Sequence, residues 1–266
     1  MWRINFYMDI IFFVSLGAGV GFFVGLTGVG GGSLMTPLLV FSGVPIKVAI
    51  GTDLLYAAIT KSSGAIAHNN LGNIHWRLVF LLAFGSIPSA IATAFYLQYI
   101  FNDSEEYLFI FNRALGFMLI VTSILIFLKI VFNNKHITLA RHKKLHHKNS
   151  LMVIIIGVLL GILVTLSSVG AGAFCAALLF ILYPKLPALH IIGTDIAHAV
   201  PLTFVAGLAH MIILQSIDWK LLLGLLIGSL PAVQLGARIA SKVSSNILQF
   251  ILGGSLFIVG SKFLIF

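Results

Sequence analysis

Two short segments place ionisable side chains inside otherwise apolar sequence. GTDLLYAAITKSSGAIAH, at residues 51–68, contains Asp53, Lys61 and His68, and GTDIAHAV, at residues 193–200, contains Asp195 and His198. A charged side chain at the centre of a bilayer costs at least about 2.5 to 3.5 kcal/mol, so such residues should face a protein interior or a water-filled cavity. There an ammonium attracts anions, whereas a carboxylate or an imidazole can exchange a proton.

Helical geometry gathers these groups on one face of each segment. If residues 48–69 form a helix, every ionisable group in it lies within about 80° of Asp53. A helix over residues 190–212 would present a similar face within about 80° of Asp195, comprising His198, Thr203, Ala206 and His210.

Each of these charged groups has two possible roles. Lys61 is either an anion-binding group or part of a permanent ion pair. A pair with Asp53 inside one helix is excluded by an axial rise of about 12 Å, but a pair between helices stays open. Asp53 and Asp195 are either site residues or N-terminal caps of their helices.

The composition predicts a polytopic, all-α membrane protein. Of 266 residues 59% are hydrophobic and 9% are charged, and the mean hydropathy is +1.10. Several apolar runs approach the roughly 20 residues that a spanning helix needs, and the alternation of a barrel is missing. Five of the sixteen Lys and Arg residues lie in KHITLARHKKLHHK, at 135–148. This run predicts a cytoplasmic loop beside lipid headgroups rather than a nucleic-acid site.

The chain contains an internal duplication. GTDLLYAAI matches GTDIAHAVP, NIHWRL (73–78) matches SIDWKL (216–221), and FGSIPSA (84–90) matches IGSLPAV (227–233). We therefore predict a first transmembrane repeat at 1–132, a basic cytoplasmic linker at 133–150 and a second repeat at 151–266. Duplicated bundles with interrupted helices are typical of secondary transporters, whose sites lie between the repeats near mid-membrane.

Each predicted repeat of four to five transmembrane helices opens with a glycine-interrupted or re-entrant helix. Residues 10–42 are too long for one span and too short for two, and a glycine run at 28–32 falls where a break is needed. Residues 167–172 repeat the arrangement. Eight spans would make the repeats parallel and ten would invert the second. Inversion is slightly favoured, because Lys185, Arg238 and Lys242 would then join Arg77 on the cytoplasmic side.

The breaks are candidate anion sites. Backbone N–H groups at a restarting helix bind anions, and hydroxyl groups can add donors. Close helix packing is the alternative explanation for the glycines. The predicted substrate-binding residues are Thr27, Gly28, Gly30, Gly31, Gly32, Ser33, Thr52, Asp53, Lys61, Ser167, Ser168, Gly170, Gly172, Thr194, Asp195 and Thr203.

Five residues are candidates for proton coupling: Asp53, Asp195, His198, His68 and His210. His68 and His210 have the alternative of being interfacial residues at helix ends. No metal site or cofactor is predicted, because Cys175 is the single cysteine and the histidines of the basic loop are interspersed with lysines.

LTGVGGGSLMTPLL, VAIGTDLLYAAITKSSGAIAH, GNIHWR and GSIPSA, with their weaker second copies, resemble the sulfite exporter TauE/SafE family, also called the toluenesulfonate uptake permease family. The resemblance covers nearly the whole chain. It implies a bacterial inner-membrane carrier of anions such as sulfite, sulfonates or sulfoacetate. The second copy departs from the pattern, because Thr203 stands at the position of Lys61 and LSSVGAG has fewer glycines.

The sequence thus favours a secondary carrier of a small anion that alternates access between two halves, with a proton as the coupling ion. An anion channel built from the same residues is the alternative. An intramembrane enzyme is disfavoured, because H-E-x-x-H, G-x-S-x-G and P-loop motifs are missing. The sequence contains no motif that indicates the identity of the substrate, the direction of transport or the oligomeric state.

Overall fold

The computed structural model describes residues 6–27, 32–100, 105–132, 150–240 and 245–265. These residues form ten helices and no strand. In chain order the helices are α1 (Phe6–Thr27), α2 (Gly32–Phe41), α3 (Ile46–Asn70), α4 (Trp76–Ile100), α5 (Glu105–Phe132), α6 (Ser150–Ser167), α7 (Ala173–Leu182), α8 (Ala188–Ile212), α9 (Trp219–Ile239) and α10 (Ser245–Ile265).

Six helices in the described ranges are long and apolar enough to cross a membrane, namely α4, α5, α6, α8, α9 and α10. The helix α3 has 25 residues, but it carries the ionisable stretch 51–68 and is less apolar. The helices α2 and α7 have 10 residues each. That is about 15 Å of helix, half the thickness of a hydrocarbon core. The fold is therefore an all-helical, multi-pass membrane bundle.

The second predicted interruption is a real break between two helices. α6 ends at Ser167 and α7 begins at Ala173. Between them Ser168 has φ 57° and Gly170 has φ 110°, so the backbone leaves the helical path through left-handed conformations. In the first segment α1 ends at Thr27 and α2 begins at Gly32, and residues 28–31 lie outside the described residues. The predicted linker also lies outside them, except for Ser150.

Four helix pairs make up most of the packing: α1 with α9, α4 with α6, α3 with α8, and α5 with α10. Glycines allow close approach in several of them. A Cβ at Gly21 of α1 would lie 2.7 Å from the Cα of Ser229 in α9. Gly161 of α6 packs in the same way on Ser86 of α4. The small residues thus act here as transmembrane packing surfaces.

The contacts fix the relative directions of the central helices. Leu55 of α3 packs on Gly207 of α8, whereas Gly64, further along α3, packs on Ile196, nearer the start of α8. α3 and α8 are therefore antiparallel, as are α5 and α10, in which Gly116 meets Gly260 and Ser123 meets Gly253.

The helices α4, α6 and α8 all run in one direction. At the start of α4 and α8, the backbone N–H of His75 donates to Thr194 Oγ1 over 2.9 Å. Further along, Ser86 Oγ lies 2.8 Å from Nε2 of His198. Gly157 and Gly161 of α6 meet Leu82 and Ser86 of α4 in the same order. Because α6 and α8 are parallel, the connection through α7 must carry the chain back before α8 begins.

Candidate functional site

The polar faces of α3 and α8 turn toward each other in the centre of the bundle. Asp53 is 0% exposed and Asp195 is 4% exposed. Neither caps its helix, because the N-cap positions of α3 and α8 are held by Pro45 and Pro187. The alternative that Asp53 and Asp195 cap their helices is therefore excluded. Both carboxyl groups lie inside helices, where their burial needs another explanation.

Asp53 has one satisfied and one unsatisfied carboxylate oxygen among the described residues. Thr36 Oγ1 of α2 donates to Asp53 Oδ2 over 2.5 Å. Oδ1 is buried and receives no hydrogen bond from the described part of the chain. The hydroxyl of Ser168, in the break between α6 and α7, is buried beside the Asp53 carboxyl group and can donate to it. The same hydroxyl is a donor that a bound anion could accept from in place of Asp53.

Lys61 connects α3 to the second break. Its Nζ donates to the backbone carbonyl of Ala171. The same ammonium interacts electrostatically with both Asp53 and Asp195. A carbonyl is a weaker partner for an ammonium than an anion is, because a bond with both partners charged is shorter and stronger. Lys61 could therefore exchange Ala171 for a small anion.

Asp195 is surrounded by groups from α7 and α8. Its Oδ1 is buried without a hydrogen-bond partner in the described ranges, and the Cys175 thiol lies next to the carboxyl group. Cys175 Sγ is also 4.0 Å from Nδ1 of His198, whose Nε2 lies 2.8 Å from Ser86 Oγ. The structure thus gathers Asp53, Lys61, Asp195, Ser168 and His198 of the predicted residues into one cluster, which we call the central cluster.

Sequence reasoning missed four members of the central cluster. Thr36 contacts Asp53, Ser86 contacts His198, and Cys175 contacts both His198 and Asp195. Ser86 had a signal, because the matched motifs GSIPSA and GSLPAV keep a serine at this position. The carbonyl of Ala171 had none, since its role depends on backbone geometry and not on its side chain.

Other predicted substrate-binding residues have structural partners instead. Thr52 Oγ1 accepts from the backbone N–H of Asp218 over 3.1 Å, and Thr194 Oγ1 accepts from His75. Thr203 Oγ1 donates over 2.8 Å to Ala199 in its own helix. Ser167 donates to Leu163 over 2.7 Å, also in its own helix. These hydroxyl groups hold helices and connections in place around the cluster.

The glycines of the second break shape the backbone. Gly170 needs its positive φ, and a Cβ there would lie 2.6 Å from the Met118 side chain. Gly172 precedes α7 at its N-cap position. The counterparts in the first segment lie outside the described residues or have no described side chain. They are Thr27, Gly28, Gly30, Gly31, Gly32 and Ser33.

The two outer histidines differ from each other. His210 is fully buried, which is not the position of an interfacial residue. Its Nε2 donates to Thr165 O over 2.9 Å, and Nδ1 lies 3.0 Å from Ser216 Oγ. A neutral ring satisfies both contacts. His68 is half-buried near the end of α3, where its Nδ1 has no described partner.

His75 lies in the connection between α3 and α4, outside the spanning helices. Burial lowers the pKa of His75, and the neighbouring His190 and Arg77 act in the same direction. The ring is therefore neutral at neutral pH. Asp218, at the matching position before α9, instead caps its helix by accepting from the N–H groups of Lys220 and Leu221 over 2.9 and 3.0 Å.

Comparison with known proteins places these features in a transporter family. The family model for the sulfite exporter TauE/SafE matches residues 13–263. The chain is 37% identical over 252 residues to YjnA, a probable membrane transporter protein of Bacillus subtilis (strain 168), covering 94% of this chain and 97% of that protein. It is 27% identical to MJ0441, a probable membrane transporter protein of Methanocaldococcus jannaschii, over 91% of each chain. No solved structure matches.

Proposed function

The chain belongs to the sulfite exporter TauE/SafE family of membrane transporters, and we propose that it is a secondary carrier of small anions. The substrate would be sulfite, a sulfonate or a related organosulfur or carboxylate anion. The carrier would work by alternating access between two pseudo-symmetric halves, with the central cluster as the substrate site. The protein is a multi-pass protein of the cell membrane, which for a bacterial chain is the inner membrane.

The observation that carries the proposal is the position of Lys61. Lys61 is half-buried where α3 packs on α8, and its ammonium donates to the backbone of a helix break. Its charge interacts with a carboxyl group from each of the two helices, Asp53 and Asp195. An ammonium that is held by a neutral carbonyl offers a small anion positive charge, and the buried Ser168 hydroxyl of the same break offers a hydrogen-bond donor.

Reciprocal contacts support an arrangement of two inverted repeats, 1–132 and 151–266. Thr52 accepts from the residue before α9, while its counterpart Thr194 accepts from the residue before α4. Gly51 packs on Ser216, while its counterpart Gly193 packs on Asn73. Each repeat therefore contributes the same two kinds of contact to the interface with the other repeat. Because the counterparts α3 and α8 are antiparallel, the axis relating the halves would lie in the membrane plane.

The helix directions support re-entrant hairpins at the start of both repeats. α6 and α8 are parallel, so α7 would return the chain to the surface from which α6 entered. With about 15 Å of helix, α7 reaches only to mid-membrane, where Ala171 meets Lys61. In the first repeat α1 runs parallel to α9, with Phe13 beside Gly224 and Gly21 beside Ser229, so α2 would make the equivalent return.

The same directions suggest the orientation in the membrane. α4 and α8 begin at one surface, and α9 ends there. That surface carries Arg77, Lys185 and Arg238 and leads, before α6, into the basic linker at 133–150. The acidic segment at 103–106 follows the opposite end of α4. The positive-inside bias then places the linker in the cytoplasm.

Anion counterflow in proteoliposomes tests the function. Radiolabelled sulfite should enter faster when the vesicles are preloaded with unlabelled sulfite, because a carrier returns loaded more readily than empty. Lys61→Gln should lower the rate about 10- to 100-fold, the equivalent of losing one charge-assisted hydrogen bond of about 1.5 to 3 kcal/mol. Lys262→Gln, which removes a lysine that lies over the Phe41 ring, should leave the rate unchanged.

Three results would count against this function. Unchanged counterflow in Lys61→Gln with normal membrane insertion would remove the central cluster as the substrate site. Single-channel currents without trans-stimulation would indicate a channel in place of a carrier. No flux of sulfite, methanesulfonate or a short carboxylate would contradict anion transport itself.

A further inference from the structure

The charges enclosed in the central cluster do not balance. Among the described residues, Asp53 and Asp195 contribute two carboxyl groups and Lys61 contributes one ammonium group. With all three ionised the cluster carries one negative charge. A negatively charged interior opposes the entry of an anion, and an unbalanced charge is costly in a buried site of low dielectric constant.

No other described group supplies the missing positive charge. The remaining titratable side chains facing the cluster are Tyr56, Cys175 and His198. The first two become negative if they ionise at all, and the His198 ring is enclosed between Ser86 and Cys175. The other packed helices present uncharged residues, which are Thr36 of α2, Met118 of α5 and Ser229 of α9. Residues 28–31 have the sequence GVGG, which contains no ionisable side chain.

Protons bound to the two carboxyl groups can make the central cluster electrically neutral. The number of protons that these groups can bind limits the charge of the anion that the cluster accepts. One proton shared by Asp53 and Asp195 neutralises the empty cluster. A bound monovalent anion then requires a second proton, which makes both carboxyl groups neutral and leaves Lys61 paired with the anion. A divalent anion would require a third proton, for which the cluster has no carboxylate left.

We propose that the central cluster binds a monovalent anion together with one proton, so that transport of the pair is electroneutral and divalent anions are rejected. This inference rests on the proposed anion-carrier function and adds to it the charge of the substrate and the stoichiometry of coupling. The proton adds to a carboxylate oxygen of Asp53 or Asp195 on one side and leaves it on the other, without any other bond change. For sulfite the transported species is hydrogensulfite.

Counting charges also predicts the effect of replacing the carboxyl groups. Asp53→Asn or Asp195→Asn alone leaves one carboxylate beside Lys61, which still takes up one proton when the anion binds. The double variant Asp53→Asn/Asp195→Asn has no carboxylate, so a monovalent anion is neutralised by Lys61 alone. Transport by this variant should move charge and no protons.

Methanesulfonate uptake tests the inference, because this anion stays monovalent and has no neutral acid form that leaks through lipid near neutral pH. Proteoliposomes would contain a pH-sensitive dye, and potassium with valinomycin would set the membrane potential. For the wild type we expect one internal proton per methanesulfonate, a rate independent of the potential, and sulfate uptake at least about tenfold slower. The double variant should show uptake without acidification and a rate that follows the potential.

The failures of the two proposals are distinguishable. Wild-type methanesulfonate uptake that follows the potential and leaves the internal pH unchanged would overturn the coupled proton while leaving anion transport in place. Sulfate uptake at the methanesulfonate rate would overturn the restriction to monovalent anions. Proteoliposomes that take up neither methanesulfonate nor sulfite would contradict the carrier function and this inference with it.

Discussion

At the scale of single residues, the buried carboxyl group of Asp53 depends on few partners. Thr36 from the short helix α2 is its hydroxyl donor at 2.5 Å. The contact connects α2 directly to the charged face of α3. A buried acceptor that loses its donor bears the full cost of its desolvation, so this one hydroxyl has a measurable effect on stability.

Thr36→Val tests that contact. It keeps the size and branching of the side chain but removes the hydroxyl, and we expect a loss of about 1 to 3 kcal/mol in the free energy of unfolding. The measurement is the thermal unfolding midpoint of the detergent-solubilised protein. Thr36→Ser keeps a donor and should retain more stability than Thr36→Val. Equal midpoints for the wild type and Thr36→Val would show that the bond does not contribute.

Asp218→Ala tests a helix cap on the surface of the bundle. Asp218 accepts from two N–H groups at the start of α9, and loss of such a cap costs about 1 kcal/mol, within a range of about 0.5 to 2. A lower unfolding midpoint is expected. Asp218→Asn, which still offers an oxygen to those N–H groups, is the control and should lie closer to the wild type. An unfolding midpoint of Asp218→Ala equal to that of the wild type would contradict the role of Asp218 as a helix cap.

The convergence of Asp53, Lys61 and Asp195 could be predicted from helical periodicity, because a buried charge has to avoid lipid and both segments have one polar face. The groups that contact these three residues could not be predicted. Thr36 and Cys175 belong to short apolar helices whose orientation no periodicity specifies, and Ala171 acts through its carbonyl. His210 has the sequence context of an interfacial residue, yet a tertiary contact with Thr165 O holds it in the interior.

At the scale of helices, packing is achieved by small residues where backbones touch. α1 carries glycines on two different faces. Gly21 lies against Ser229 of α9, whereas a Cβ at Gly19 would meet no atom within 4 Å. The sequence shows both glycines but not which of them is at an interface, because the partner α9 is about 200 residues away along the chain.

Gly21→Ala and Gly19→Ala form a matched pair on one helix. The first places a methyl group where the α9 backbone lies at 2.7 Å, so the helices must separate and the unfolding midpoint should fall. The second adds a methyl group in open space and improves helix propensity, so the midpoint should be unchanged or higher. Equal effects of the two substitutions would contradict the close α1–α9 contact.

At the scale of the whole molecule, two inverted repeats would place equivalent connections on opposite sides of the membrane. The α3–α4 connection includes Leu71, which is 72% exposed, and the α8–α9 connection includes the exposed Gln215. The duplication could be recognised from the matched motifs. An inverted relation between the repeats is only slightly favoured by the positions of Lys and Arg, because the number of spans depends on whether α2 and α7 cross the membrane, which the motifs do not specify.

Cysteine labelling distinguishes the two arrangements. In a Cys175→Ala background, Leu71→Cys and Gln215→Cys should react with a membrane-impermeant maleimide from opposite sides, Leu71→Cys from the cytoplasmic side. Right-side-out and inside-out vesicles provide the two sides. Labelling of both positions from the same side would indicate parallel repeats and would remove the support for re-entrant hairpins.

The central claim is that a small anion binds at Lys61, between α3 and α8. Selenite, the selenium analogue of sulfite, can be located by anomalous diffraction from crystals of the protein. The account predicts a selenium peak within contact distance of the Lys61 ammonium and beside the break at 168–172, and loss of that peak in Lys61→Gln. Selenium bound only at the outer basic surfaces, with none beside Lys61, would contradict it.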